Sequence, residues 1–156
     1  MSRTGRARGD RGQSLVEFAL VFPIFLLLLF GLIDIGRYVY TVNALSQAAR
    51  EAARFGSVGT WSDRCTGTRI ACVERESLAR LAGVRTDTII FDVTCQRFIA
   101  NPDGNGGRWM NVGSSCEAND SLHVGLTTKF QILTPIIGQF IGPAPVSGSS
   151  QVTVNQ

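Results

Sequence analysis

Phe18 to Ile33 read FALVFPIFLLLLFGLI, sixteen residues without a charge, set between Glu17 and Asp34. Thirteen of the sixteen are Leu, Ile, Phe or Val. Each such residue contributes roughly −0.3 to −0.6 kcal/mol to membrane insertion, so the run favours insertion by on the order of −4 to −8 kcal/mol. Flanking acids near the interface do not reverse that. Taken from Leu15 to Ile35, the segment is a helix of about 30 Å, the thickness of a bilayer core. Pro23 lies inside the span, where it can kink the helix and where water or neighbouring helices satisfy the carbonyl it frees.

Toward the N-terminus the sequence turns basic. The chain has 156 residues, with 15 Lys+Arg against 12 Asp+Glu for a formal net charge of +3. Arg3, Arg6, Arg8 and Arg11, set against Asp10, account for all of it, and from Gln13 onward there are eleven charges of each sign. No basic face is left to neutralise a row of phosphates, so nucleic acid is not expected as a partner. The arginines instead set topology. They predict a cytoplasmic N-terminus, a single pass through the cytoplasmic membrane and an extracytoplasmic C-terminal domain. A cleaved secretory signal also has a basic and then an apolar region, but here the apolar run is long and is followed by DIGRYVY rather than a small-residue cleavage site.

Toward the C-terminus the helical pattern continues. Ile35, Tyr38, Val42, Leu45, Ala49, Ala52 and Phe55 recur at steps of three and four and draw one apolar stripe. Asn43, Ser46, Gln47, Arg50, Glu51 and Arg54 take the other faces, and Gly56 is the expected stop. The pattern predicts one helix of about 40 residues, near 60 Å long, half in lipid and half outside. Ala44, Ala48, Ala49, Ala52 and Ala53 imply close packing, either on the chain's own domain, the favoured reading, or on neighbouring helices.

Residues 12–18 read Gly-Gln-Ser-Leu-Val-Glu-Phe. Gly12, Glu17 and the aromatic Phe18, at the cytoplasmic edge of an apolar helix with a basic leader, resemble the processing site of type IV pilin-like proteins. The longer stretch RGQSLVEFALVFPIFLLLLFGLIDIGRYVYTVNALSQAAREAARFGS, residues 11–57, resembles the TadE-like family of the tight-adherence (Tad/Flp) pilus system. The resemblance implies cleavage by a prepilin peptidase between Gly12 and Gln13, which would discard the arginine-rich leader once insertion is complete. Glycine suits that position because it lets the backbone extend into a protease cleft without a side chain. The resemblance further implies that Glu17 pairs with the new amine on Gln13 of an adjacent subunit. Pairing neutralises two charges whose separate burial costs several kcal/mol, which favours the correct stagger. The plainer alternative leaves Glu17 in headgroup water, and cyclisation of an N-terminal Gln13 would remove its cation. The implied partners are the lipid bilayer, other pilin-like subunits, the Tad inner-membrane machinery and the prepilin peptidase. No enzymatic activity and no cofactor is implied.

Residues 56–156 are left to form an α+β domain, about a hundred residues with a modest core that staples would help. Cys65, Cys72, Cys95 and Cys116 fit that need on the oxidising side of a membrane. Four cysteines allow three pairings. The favoured one joins Cys65 to Cys72 in a short loop and Cys95 to Cys116 in a long one. Neither spacing is the tight pair that wraps a tetrahedral zinc ion, so no metal is expected.

Val73 to Ala82 reads as a short helix ended by Gly83, with Leu78, Leu81 and Ala82 inward. Ile89, Phe91, Val93 and Cys95 alternate as one strand face, and NPDGNGGRWMN is read as turn-rich. Asp103 and Asn105 faintly resemble a calcium loop without its later acidic ligands. Leu122, Val124, Leu126, Thr128, Phe130 and Ile132 alternate against His123, Thr127, Lys129 and Gln131, which predicts a half-buried antiparallel strand. His123, the single histidine, has no nucleophile and acid assignable to it and reads as a surface strand residue. Thr134 and Pro135 are expected to open a short apolar helix to Ile141, with core cover its favoured role, and Val146 to Val154 to close the sheet. The expected chain is a basic leader (1–12), a transmembrane and stalk helix (13–55) and an antiparallel α+β domain (56–156). Its rival is an uncleaved single-pass anchor whose outer domain binds a ligand or envelope partner.

Overall fold

The computed structural model describes residues 9–58, 65–113, 116–134, 138–139 and 142–155. One helix, α1 (Gly9–Ser57), runs without interruption through Pro23 and beyond the apolar run. It begins before and ends after the expected bounds of 13 and 55, and Gly56 lies inside its last turn. That glycine is there for space. A Cβ on Gly56 would stand 2.5 Å from Val73 Cγ2 and 2.7 Å from Leu122 Cδ2.

The second helix, α2 (Arg69–Ala79), starts four residues earlier than the pattern of Val73 to Ala82 predicts. Thr68 caps it, accepting a hydrogen bond from the Ala71 amide at 3.3 Å. The buried face also differs from the expected one. Cys72, Val73, Ser77 and Leu81 turn inward, whereas Leu78 and Ala82, both expected inside, are exposed. Val73 and Ser77, one turn apart, share the inward face and leave Leu78 about 100° round the helix, while Leu81 is buried just past the helix end. The buried Ser77 hydroxyl donates to the Val73 carbonyl at 2.7 Å, so its burial leaves no donor unpaired.

Four strands follow: β1 (Ile90–Ala100), β2 (Gly107–Gly113), β3 (Ser121–Phe130) and β4 (Ala144–Thr153). They form one antiparallel sheet in the order β2-β1-β3-β4. The alternation in β3 is as expected through Phe130, and Ile132 lies past its end. The segment NPDGNGGRWMN is only half turn. The Asn101 amide donates to the Gly106 carbonyl at 3.0 Å, and the Asn105 amide to Asp103 Oδ1 at 3.1 Å. From Gly107 the chain returns as an edge strand that faces Trp109 against Phe98. Most of β2 is exposed, so it shows no inward alternation to read. Of the expected helix from Pro135 to Ile141, only Gly138 and Gln139 lie within the described residues, and both are helical.

The C-terminal half of α1 lies on β3 and β4 and α2 packs beside it. Leu45, Ala48, Ala49, Ala52 and Ala53 of α1 close over Val93, Cys95, Leu122, Val124, Leu126 and Val146 of the sheet. The alanines are small so that the helix backbone can approach the strands. The domain's own sheet therefore covers the C-terminal part of the stripe, from Leu45 to Ala52. Disulfides join Cys65 to Cys72 and Cys95 to Cys116, the favoured pairing.

Candidate functional site

Two regions of α1 bear on function: the bare apolar half, and the boundary where that half gives way to the part packed on the sheet. Between Gly12 and Ile33 every residue is exposed except Leu26 and Gly31, which are half-buried. A rod of exposed Leu, Ile and Phe is unstable in water and at home in lipid. The helix is long and apolar enough to cross a membrane, and the chain has the build of a single-pass anchored protein. Gln13 and Glu17 are four residues apart and share a face. Phe18 stacks on Phe22 with ring centroids 5.2 Å apart. Outside its own helix backbone, Gly12 has no atom of the described residues within 4 Å of where a Cβ would stand. Glu17 is exposed and makes no ion pair among the described residues. Its carboxylate is thus presented to whatever surrounds the helix. Arg3, Arg6 and Arg8 lie outside the described residues, and Arg11 stands in the first turns of α1.

At the other end of the apolar run, Asp34 is only 8% exposed. Its Oδ1 accepts from the Leu133 amide at 3.0 Å. Its Oδ2 accepts from the Thr134 amide at 2.9 Å and from the Thr134 hydroxyl at 2.6 Å. The Arg37 guanidinium stands 3.6 Å away. A carboxylate buried this far costs free energy unless several donors meet it, and here three do. The Arg37 guanidinium also lies over the Phe130 ring, 5.3 Å from its centroid, and Tyr38 meets the same ring edge-on at 5.7 Å. Asp34 therefore ties the loop after β3 to the end of the membrane segment. The sequence marked Asp34 only as the end of the uncharged run. Its donors lie about a hundred positions away, and nothing local announces them.

At the far end of the domain, Arg97 grips Asp120 through Nε and Nη2, both at 2.8 Å, and reaches Glu117 at 2.9 Å. The Glu117 amide adds a third bond to Asp120 at 2.8 Å. Arg97 and that amide hold the Asp120 carboxyl below the usual carboxylate range. The Val154 amide donates to the Asp120 carbonyl, and that of Asn155 to the Ser57 carbonyl, both at 2.8 Å, which fastens the end of the sheet to the end of α1. His123 sits mid-strand, opposite Thr94 and Gln151.

An apolar helix long enough to cross a membrane continues unbroken onto an antiparallel sheet. Residues 12–54 match the family described as TadE-like protein, the same segment that carries the resemblance in the sequence. Residues beyond 54 lie outside that match. No curated protein and no solved structure matches the chain.

Proposed function

We propose that the chain is a TadE-like minor pseudopilin that takes part in assembly of a Tad/Flp-type pilus as a structural subunit. The observation that carries this reading is the division of α1. Its C-terminal half is used by its own sheet, its apolar N-terminal half is left bare for other helices, and the TadE-like match runs over both. In this reading the basic leader stays cytoplasmic, a prepilin peptidase cuts between Gly12 and Gln13, and the sheet domain lies on the extracytoplasmic side. Glu17 then meets the new amine of Gln13 on a neighbouring subunit. The spacing that puts Gln13 and Glu17 on one face supports that exchange, since neighbours staggered by about one turn bring the two groups to one height. Neutralising both charges in lipid favours the correct stagger.

The test is the intact mass and N-terminal sequence of the chain extracted from membranes of a host that carries the cognate peptidase. A start at Gln13 is expected. Retention of the leader would make the chain an uncleaved anchor and overturn the processing step. A Glu17→Ala variant is expected to insert and be cleaved but to fail in assembly, and normal assembly would sink the pairing.

A further inference from the structure

The loop after β3 is held at the boundary of the membrane segment. Because Asp34 takes the amides of Leu133 and Thr134, these residues stand at the height where the apolar run ends. Arg37 lies three residues further along α1, about 4.5 Å at about 1.5 Å per residue. A bilayer of ~40–45 Å around a ~30 Å core leaves about 5–7 Å on each side for headgroups. Residues from Asp34 to Arg37, and the loop pinned to them, therefore occupy headgroup depth.

The side chains there are of two kinds. Gly31, Ile35, Tyr38, Phe130, Ile132 and Ala144 line an apolar groove of about 300 Å³. Leu133, beside it, is 58% exposed. On the other side of Phe130, Arg37, Arg85 and Lys129 line a second hollow of about 200 Å³. Arg85 is paired with Asp87 at 2.9 Å, and the Asp34 carboxylate is already met by the loop. Lys129 makes no ion pair among the described residues, so the hollow keeps an excess of positive charge.

We propose that this end of the sheet domain is a second membrane contact that seats an anionic phospholipid. The lipid phosphate lies against Lys129 and Arg37, and the first methylenes of its acyl chains, where core meets headgroups, lie against Leu133, Ile132 and Ile35. Two features select lipid over another protein. The apolar groove is continuous with the lipid-facing residues of α1 itself, through Gly31 and Ile35. It also changes to positive charge at the depth where a bilayer carries its phosphates. The contact fixes how far the domain stands from the membrane and which side of it faces down. The proposal rests on the membrane reading of α1 and not on the pilus reading.

The full chain, reconstituted in nanodiscs of phosphatidylcholine with or without phosphatidylglycerol, tests it. Insertion of α1 is scored separately, by co-elution of the chain with the disc. Leu133→Trp in a Trp61→Phe, Trp109→Phe background is expected to be quenched by lipids brominated on their acyl chains. Phosphatidylglycerol is expected to be retained over phosphatidylcholine in native mass spectra. A basic group near the surface is worth about fivefold, so Lys129→Gln should cut that preference by about that factor, and Lys129→Gln with Arg85→Gln by more. Leu133, Lys129 and Arg85 all lie at the surface, and an unchanged unfolding midpoint checks that the variants stay folded. An inserted chain without quenching of the introduced indole would overturn the proposal, as would a lipid preference indifferent to both substitutions. Shielding of that indole that arises only when two copies share a disc would assign the surface to a second copy instead.

Discussion

Gly148 of β4 faces the backbone of Leu45 in α1, so closely that a Cβ there would stand 2.6 Å from the Leu45 carbonyl carbon and 2.5 Å from the Ser46 nitrogen. Both are main-chain atoms and cannot rotate aside. Gly148→Ala is therefore expected to push β4 away from the helix at a cost of about 1–3 kcal/mol. At Gly56 the obstructing atoms are the ends of Val73 and Leu122, which have some freedom to move. The measurable outcome is an order: in detergent, the thermal midpoint of the full chain falls further for Gly148→Ala than for Gly56→Ala. The reverse order would show that β4 is free to yield.

Asp34→Asn leaves one accepting oxygen where there were two, sets an NH2 donor against one of the loop's donors, and removes the charge that three donors were placed to meet. The expected loss is about 1–3 kcal/mol, concentrated in the loop after β3. Hydrogen exchange should show it as faster exchange at Leu133 and Thr134, with the amides of β3 little changed. Uniform acceleration across the sheet would mean that Asp34 supports the whole domain.

Acid should release the far end of the domain. The Asp120 carboxyl is held low in the folded chain, whereas an unfolded aspartate titrates near about 3.9. The unfolded state thus binds the proton first. The stabilisation is complete above about pH 4 and is lost as pH falls through the folded value below it. Asp120→Asn should lose about 1.5–3 kcal/mol at neutral pH, because Arg97 forfeits a charged acceptor. It should also flatten the acid limb of a urea-midpoint curve. An acid limb unchanged by this substitution would assign it to other carboxylates.

The two disulfides should differ in worth. Their sequence separations are 21 for Cys95–Cys116 and 7 for Cys65–Cys72. Chain-entropy reasoning gives about 3.4 kcal/mol for the longer loop and about 2.5 kcal/mol for the shorter. Each double substitution places one hydroxyl at a buried position, Cys95 in one pair and Cys72 in the other, so loop length is what separates them. Cys95→Ser with Cys116→Ser is expected to lower the denaturant midpoint more than Cys65→Ser with Cys72→Ser, and equal effects would count against this account.

The long helix and β3 are legible because burial writes itself into spacing: one run of apolar residues, one stripe at steps of three and four, one strict alternation. The edge strand from Gly107 is not, since a strand that buries almost nothing has no such pattern. It is defined by its pairing to β1, and pairing is not a local property. The inward face of α2 escapes the sequence for a related reason. Its phase is set by which residues dock on the core: Val73 does, Ser77 follows it at one turn, and Leu78 is carried about 100° away. Of the candidate site, the Gly12 to Phe18 segment is legible through its resemblance to pilin-like sequences. Asp34 cannot, because its role comes from Leu133 and Thr134, which only the fold brings to it.

Because α1 passes from lipid into the sheet without a break, the domain has no joint at which to swivel. The part from Asp34 to Ser57 is a lever of about 35 Å. A membrane helix tilted by about 20° carries the tip of that lever about 12 Å sideways. Turning the helix about its axis turns the sheet by the same angle. Whatever fixes the azimuth of the buried half therefore also aims Trp109 and the rest of the outer edge strand, so the bearing of the outer surface is decided inside the bilayer.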